Sequence, residues 1–173
     1  MTTIRPFRDP DWAVVWAMLH ATFAAGETYS FAPDIGEAEA RRIWIDAPLA
    51  TFVAEEQGRI LGTYFIKPNQ PGLGSHVCNC GYVVAAEAQG RGIAARMCEH
   101  SQKWALERGF RAMQFNFVVS TNERAVRLWQ RLGFQIAGRL PGAFRHARLG
   151  FVDAYVMYKT LVAGEEMGSG TIL

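Results

Sequence analysis

Apolar residues recur at helical spacing in the first stretch of the chain. Trp12, Val15, Trp16, Leu19 and Phe23 fall close to the 3.6-residue period and predict a helix over residues 11–25. A second, shorter helix is predicted over 37–46, EAEARRIWID. The loop between them, GETYSFAPDI, is rich in turn formers and carries Tyr29 and Phe31. The period then shortens. Residues 51–55 and 59–66 are strand-like and meet at Gln57-Gly58, a hairpin turn, and a third strand spans 76–84 after the loop PNQPGLGS. A long amphipathic helix is expected from about 90 to 108. Its buried stripe is Ile93, Met97 and Trp104, flanked by the small residues Ala94, Cys98, Ser101 and Ala105, while Glu99 and Lys103 pair on the outside. Gly109 ends it, and residues 112–119 form a strand of β-branched and aromatic residues. Ser120-Thr121-Asn122-Glu123 reads as a capping box with Ser120 at the cap. The helix that follows puts Ala125, Leu128, Trp129 and Leu132 on one face and Arg124, Arg127 and Arg131 on the other, and Gly133 stops it. Residues 134–140 and 153–161 finish as strands around a loop, PGAFRHARLGF, before a tail without packing signal. The order is mixed α/β, with no internal repeat and no linker long enough to divide the chain.

Composition narrows the class. Half of the 173 residues are hydrophobic, 20% are charged and 12% are aromatic, which suits one compact domain with a substantial core and excludes a disordered chain. A net charge of +2 argues against a dedicated nucleic-acid or membrane-surface binder. The charge is unevenly spread. Residues 91–148 hold ten Arg and one Lys against three Glu, a net of +8, and the remainder holds seven basic and thirteen acidic residues, a net of −6. Three cysteines, Cys78, Cys80 and Cys98, give no disulfide framework and fit a reducing cytoplasm. The start of the chain, MTTIRPFRDPDW, lacks the apolar stretch of a signal peptide. The longest apolar run, Trp12 to Leu19, is eight residues, against the ~20 a membrane-spanning helix needs. A soluble, cytoplasmic protein is expected.

The most distinctive local feature joins the third strand to the long helix: Tyr82-Val83-Val84, a short turn, then Gln89-Gly90-Arg91-Gly92-Ile93-Ala94. Glycines at a helix start let the backbone approach a bulky anion, and the free N–H groups and dipole favour phosphate there. Arg91 adds a charge to the same turn. A P-loop is excluded, because no G-x-x-x-x-G-K-[ST] string exists. A dinucleotide-binding turn is matched loosely by Gly90-x-Gly92-x-x-Ala95, but Ala85–Gln89 intervene after the strand and the next strand ends without a carboxylate. A plain helix-start turn holding no ligand is the structural alternative.

The segment closely resembles the GNAT superfamily of acyl-CoA-dependent N-acetyltransferases, whose central motif is Gln/Arg-x-x-Gly-x-Gly/Ala. Gln89, Gly92 and Ala94 occupy its fixed positions. A second family motif begins with Asn and ends in Gly-Phe, as Asn122-Glu123-Arg124-Ala125 … Gly133-Phe134 does, and the element order agrees over nearly the whole chain. The resemblance implies a single-domain α/β fold over residues 3–161, with a flexible tail at 162–173. Its mixed, mostly antiparallel central sheet would be flanked by helices and carry a splayed pair of central strands. It implies acetyl-CoA as co-substrate. Backbone N–H groups of Gly90, Arg91, Gly92, Ile93 and Ala94, in the turn opened by Gln89, would hold the pyrophosphate. Tyr82, Val83 and Val84 would pair with the pantetheine arm, leaving an N–H of Val83 or Val84 to polarise the thioester carbonyl. Asn122 would contact the cofactor.

One position departs from the family. A Tyr of the second motif often protonates the departing thiolate; here that position is Trp129, whose indole N–H donates a hydrogen bond but is no acid at neutral pH. The catalytic acid is therefore unassigned, and Trp129 reads as core. The substrate amine must be neutral to attack, and the candidate bases are Glu27, Glu55, Glu56, His76 and His146, none marked by its spacing. Asn79 and Asn116 interrupt apolar strands and each needs a partner, structural or functional. The strings His76-Val77-Cys78-Asn79 and Gln114-Phe115-Asn116-Phe117 look like those of a GNAT branch acting on proline-like amino acids such as azetidine-2-carboxylate, in which two such Asn bind substrate. Tyr29 and Phe31, in the loop before the second helix, either wall the same pocket or anchor the loop to the core, and Tyr29 and Glu27 are counted among the substrate-binding residues. His76, Cys78 and Cys80 alternate on one strand face but match no zinc spacing, so no metal is expected. An acetyl-cysteine route lacks a paired base. The reading is an N-acetyltransferase acting on a small-molecule amine without nucleic acid or membrane, with a homodimer allowed. A peptide or protein acetyltransferase and a catalytically weak CoA-binding domain are the alternatives.

Overall fold

A computed structural model of the chain describes residues 1–163. Seven strands, β1 (Thr3–Pro6), β2 (Ala50–Glu56), β3 (Arg59–Pro68), β4 (Val77–Val84), β5 (Ala112–Val119), β6 (Gln135–His146) and β7 (Gly150–Thr160), form one sheet in the order β1-β2-β3-β4-β5-β7-β6. Every neighbouring pair is antiparallel except β4 and β5. Those two are parallel and pair only at Val77–Ala112 and Cys78–Met113, after which they part. This is the single-domain α/β fold with splayed central strands that the sequence implies.

Two helical layers cover the sheet. Because side chains alternate along a strand, β4 sends Cys78, Cys80 and Tyr82 to one face and Asn79, Gly81 and Val83 to the other. On the first face they pack with Ile93, Met97, Cys98 and Ala105 of α3 (Ile93–Glu107) and Trp129 of α4 (Glu123–Arg131). On the second, Val83, Val53 and Phe65 pack with Val15, Leu19 and Phe23 of α1 (Trp12–Ala25) and Ala40 of α2 (Glu37–Arg41). Trp44, in a wider π-type turn over Arg42–Asp46 that continues α2, is fully buried there and donates its Nε1–H to Thr63 Oγ1 at 3.1 Å.

Several expectations need correction. The four-residue strand β1 carries too little periodicity to be seen; it is held by pairing with β2 and by Arg5, which bridges Asp11 and Glu55. Trp104 is only half-buried, with Arg108 stacked 4.0 Å over its ring, so the stripe of α3 is closed by Cys98, Ser101 and Ala105 instead. Ser120 is not a helix cap, because its N–H still belongs to the sheet, bonded to Asp153 O at 2.9 Å. The cap of α4 is Asn122, whose side chain accepts the N–H of Ala125. The expected loop 141–151 is mostly strand: β6 and β7 make one long hairpin, with a register shift between Leu140 and Phe144 that absorbs Pro141 on an edge strand. The tail expected at 162–173 falls, apart from its first two residues, outside the described residues.

Candidate active site

Where β4 and β5 separate, backbone groups on the facing side of β4 lose a strand partner. Ala85 N–H bonds Leu61 O at 2.9 Å, and Asn69 N–H bonds Val77 O at 2.8 Å. Antiparallel alternation from those two points turns the N–H and C=O of Val83 into the ladder with β3, and turns those of Tyr82 and Val84 toward the gap. Of the two groups proposed to polarise a carbonyl, Val83 is therefore already committed and Val84 faces the opening. The Tyr82 carbonyl in the gap accepts the Tyr29 hydroxyl at 2.9 Å.

The gap widens into a cleft of about 250 Å³. Tyr29, Asn79, Tyr82, Asn116, Asn122 and Trp129 all border it, so the split brings six of the sequence-derived residues together. Tyr29 and Phe31 stack at 5.9 Å on one wall, and Trp129 leans on Tyr82 and Phe115 at 5.2 and 5.1 Å on another. Burial pushes the Tyr29 phenol well above its ordinary value, which suits a fixed hydrogen-bond donor and not an acid. Trp129, buried as expected, is thus both core and cleft wall.

Asn79 is buried, and its Nδ2 donates to Gln114 O at 2.9 Å, tying the two parting strands together. Asn116 is exposed, so the desolvation reasoning that singled it out does not hold. It sits in a register break between Phe115 and Val118, accepts Gln114 Nε2 at 2.9 Å and donates to Asn69 Oδ1 at 2.7 Å. Gln114, Asn116 and Asn69 thus form an amide chain beside the cleft. Glu27 is not brought to it. That carboxylate pairs with Arg148 at 2.8 Å and borders a second groove of about 500 Å³ between α1 and the end of β4.

The glycine turn lies past the end of β4. Gly90 and Gly92 have φ of 79° and 77°, the left-handed region, and Gly92 is the N-cap of α3 without a side-chain cap. Among the described residues no carbonyl accepts the N–H of Gly90, Gly92, Ile93 or Ala94. These unspent donors, at the positive end of a fifteen-residue helix, make a cradle that could hold an anion. Arg91 N–H is spent on Ala88 O at 3.3 Å, and its guanidinium is paired with Glu56. The cation that does reach the turn is Arg124 of α4, whose Nη2 lies 3.0 Å from the point where a Cβ on Gly90 would stand. Arg124 lies off the face of its helix that carries Ala125, Leu128 and Trp129, and its position two residues after Asn122, in the same motif, is the sequence signal for this placement.

The remaining chemistry is quickly bounded. All three cysteines are free and buried; burial pushes the Cys98 thiol up to about 11 and raises Cys80 as well, which disfavours the thiolate at those two. Glu55 is bonded to Arg5 at 2.8 Å, Glu56 to Arg91, and His146 is buried with its Nδ1 accepting the N–H groups of Arg148 and Leu149. No carboxylate or imidazole among the described residues borders the cleft. No cluster of three or more His, Cys, Asp or Glu able to hold a metal occurs among the described residues, and no helix there is long and apolar enough to cross a membrane.

A sequence model of the Acetyltransferase (GNAT) family matches residues 13–134, about two thirds of the chain. The chain belongs to this family. Acyl transfer from acetyl-CoA is the chemistry of GNAT acetyltransferases, and the splayed strands and anion cradle occur here together. The chain is 40% identical to a GCN5-related N-acetyltransferase from Kribbella flavida, with a TM-score of 0.88 over 92% of this chain and 97% of that one. It is also 38% identical to N-acetyltransferase aca1 of Schizosaccharomyces pombe over 109 residues, 62% of this chain and 52% of that protein. The chain thus spans about half the length of aca1. A GNAT superfamily phosphinothricin acetyltransferase from Sinorhizobium meliloti, solved in complex with acetyl-CoA, shares the fold at 18% identity, with a TM-score of 0.82 over 94% of this chain and 90% of that one.

Proposed function

We propose that residues 3–161 form an acetyltransferase domain that moves an acetyl group from acetyl-CoA to the amine of a small substrate, an amino acid or proline analogue, by direct attack on the thioester. The observation that carries the reading is the cleft between β4 and β5, with backbone donors facing it and the uncapped start of α3 at its far end. In this arrangement the pyrophosphate sits on the N–H groups of Gly90, Gly92, Ile93 and Ala94, with Gln89 leading in and Arg124 above. The pantetheine arm lies along Tyr82–Val84, and the Asn122 amide, whose oxygen caps α4, presents its amino group to the cofactor. As the amine attacks, negative charge grows on the thioester oxygen, and a preorganised N–H of Val84 or Tyr82 stabilises it. With no carboxylate or imidazole among the described residues bordering the cleft, the amine proton goes to water and CoA departs as thiolate.

Asn79 and Asn116 orient the substrate, and the aromatic walls suit a small, partly apolar amino acid. A peptide or lysine acetyltransferase would call for acidic residues in the pocket, and no described residue bordering the cleft is acidic. The substrate is a free small molecule on this reading, with no nucleic acid or membrane involved, and a homodimer is compatible with it. The test is thiol release from acetyl-CoA against a panel of amino acids, cyclic imino acids, amines and peptides. Turnover is expected with small amino or imino acids, and calorimetry showing no CoA binding would overturn the proposal.

A further inference from the structure

Among the described residues one charged side chain borders the cleft, and the proposed reaction does not use it. Lys67 lies near the end of β3, one residue beyond the strand the sequence predicts, directly opposite Asn79 of β4 in the sheet register. It shares its face of β3 with Phe65, and its Nζ sits 5.5 Å from the centroid of the Phe65 ring, so the side chain lies along the cleft wall. Lys67 is half-buried and forms no ion pair with any described residue. Among the described residues the cleft offers one cation, no carboxylate, and the amides of Asn79 and Asn116 beside it.

We infer that Lys67 is the specificity-determining anchor for a free carboxylate on the substrate. An ammonium on a short stretch of apolar wall, with amide N–H donors nearby, matches a carboxylate carried one or two bonds from the reacting amine. The same charge disfavours substrates that bring a second cation, such as polyamines or a lysine side chain. It also favours the neutral form of a bound amine, in a cleft that has no base of its own. The inference rests on the acetyltransferase reading and names the residue that would select for the substrate's carboxylate.

The test compares three ligands in the thiol-release assay: the amino acid turned over best, its carboxamide, and the amine lacking the carboxyl group. Wild type is expected to favour the acid over both by about tenfold or more in kcat/KM, as a charge-assisted hydrogen bond would give. Lys67→Met should erase that preference by raising KM for the acid, with the amide unaffected and CoA affinity unchanged. Lys67→Arg should keep most of it. Equal use of acid and amide by wild type, or an unchanged preference in Lys67→Met, would overturn the inference while leaving the acetyltransferase reading intact. Absence of turnover with every amine and peptide would sink both.

Discussion

Two glycines at opposite ends of α3 separate the cost of backbone strain from the loss of an anion site. Gly92, at its start, has φ 77°, and Gly109, two residues past its end, has φ 82°; a Cβ added to either would meet nothing within 4 Å. An alanine at either position is therefore strained but not clashing, at about 1–2 kcal/mol each. In a domain of this size that lowers Tm by roughly 2–8 °C, and by similar amounts in the two variants. The open space at Gly92 is where the phosphates would rest on unspent N–H groups, and the space at Gly109 is plain solvent. Losing one charge-assisted hydrogen bond at the cradle costs about 2 kcal/mol, or roughly thirtyfold in Kd. Gly92→Ala should thus weaken CoA binding about thirtyfold by calorimetry, while Gly109→Ala keeps the wild-type Kd. Matched Tm losses with equal, unchanged CoA affinity would refute the cradle.

The other predictions concern the cleft and its support. Asn79→Ala, which removes the bond from Nδ2 to Gln114 O, should cost about 1 kcal/mol of stability, and the exposed Asn116→Ala less than about 0.5 kcal/mol. Both should raise substrate KM with CoA affinity intact; lost CoA binding would make Asn79 a tie between strands only. Asn122→Ala should lower stability by about 1 kcal/mol and weaken CoA, whereas Asn122→Asp keeps the cap and weakens CoA alone, as thermal melts and calorimetry would show. Asp11 is held below its ordinary pKa by the two-pronged bond from Arg5. Its contribution to stability is present above the ordinary value of 3.8 and is lost as pH falls through the lower folded value, so urea unfolding of Asp11→Asn should depend less on acid than wild type.

Local signals carried most of the fold. Helical periods in α1, α3 and α4 and the Gln57-Gly58 turn were legible because each is set within a few residues. What escaped depends on pairing at a distance. β1 is four residues long and exists because β2 offers an edge, and the β6–β7 hairpin runs through Pro141-Gly142 only because it lies at the border of the sheet. Ser120 resembled a cap until its N–H was claimed by Asp153, thirty-three residues on. At the site, the glycine turn was visible as a motif, but which strand groups face the gap follows from hydrogen-bond alternation, which no composition reveals. That is how Val83 and Val84, neighbours of the same type, acquire different roles. Lys67 and Arg124 were missed for a similar reason: nothing local distinguishes a lysine in a cleft from one on a surface.

The charge asymmetry along the chain shows the same effect of folding. The basic window of residues 91–148 would by itself suggest a broad positive surface, yet partners neutralise much of it. Arg91 is paired with Glu56, Arg139 with Asp153 and Arg148 with Glu27, each acid coming from outside the window, and Arg127 is paired with Glu123 within it. Arg108 spends its guanidinium on the Trp104 ring. Arg124 has no ion-pair partner among the described residues, and it stands over Gly90 at the mouth of the cradle. Part of the excess is thereby neutralised, and Arg124 is left beside the turn where phosphate is proposed to bind. The acidic regions, for their part, fold against the arginines and leave the cleft without a carboxylate. On the proposed reading, a polyanionic cofactor at one end and a substrate carboxylate at Lys67 would draw on the same division: acidic groups paired away outside the cleft, and a cation, Arg124 or Lys67, at each end of the split.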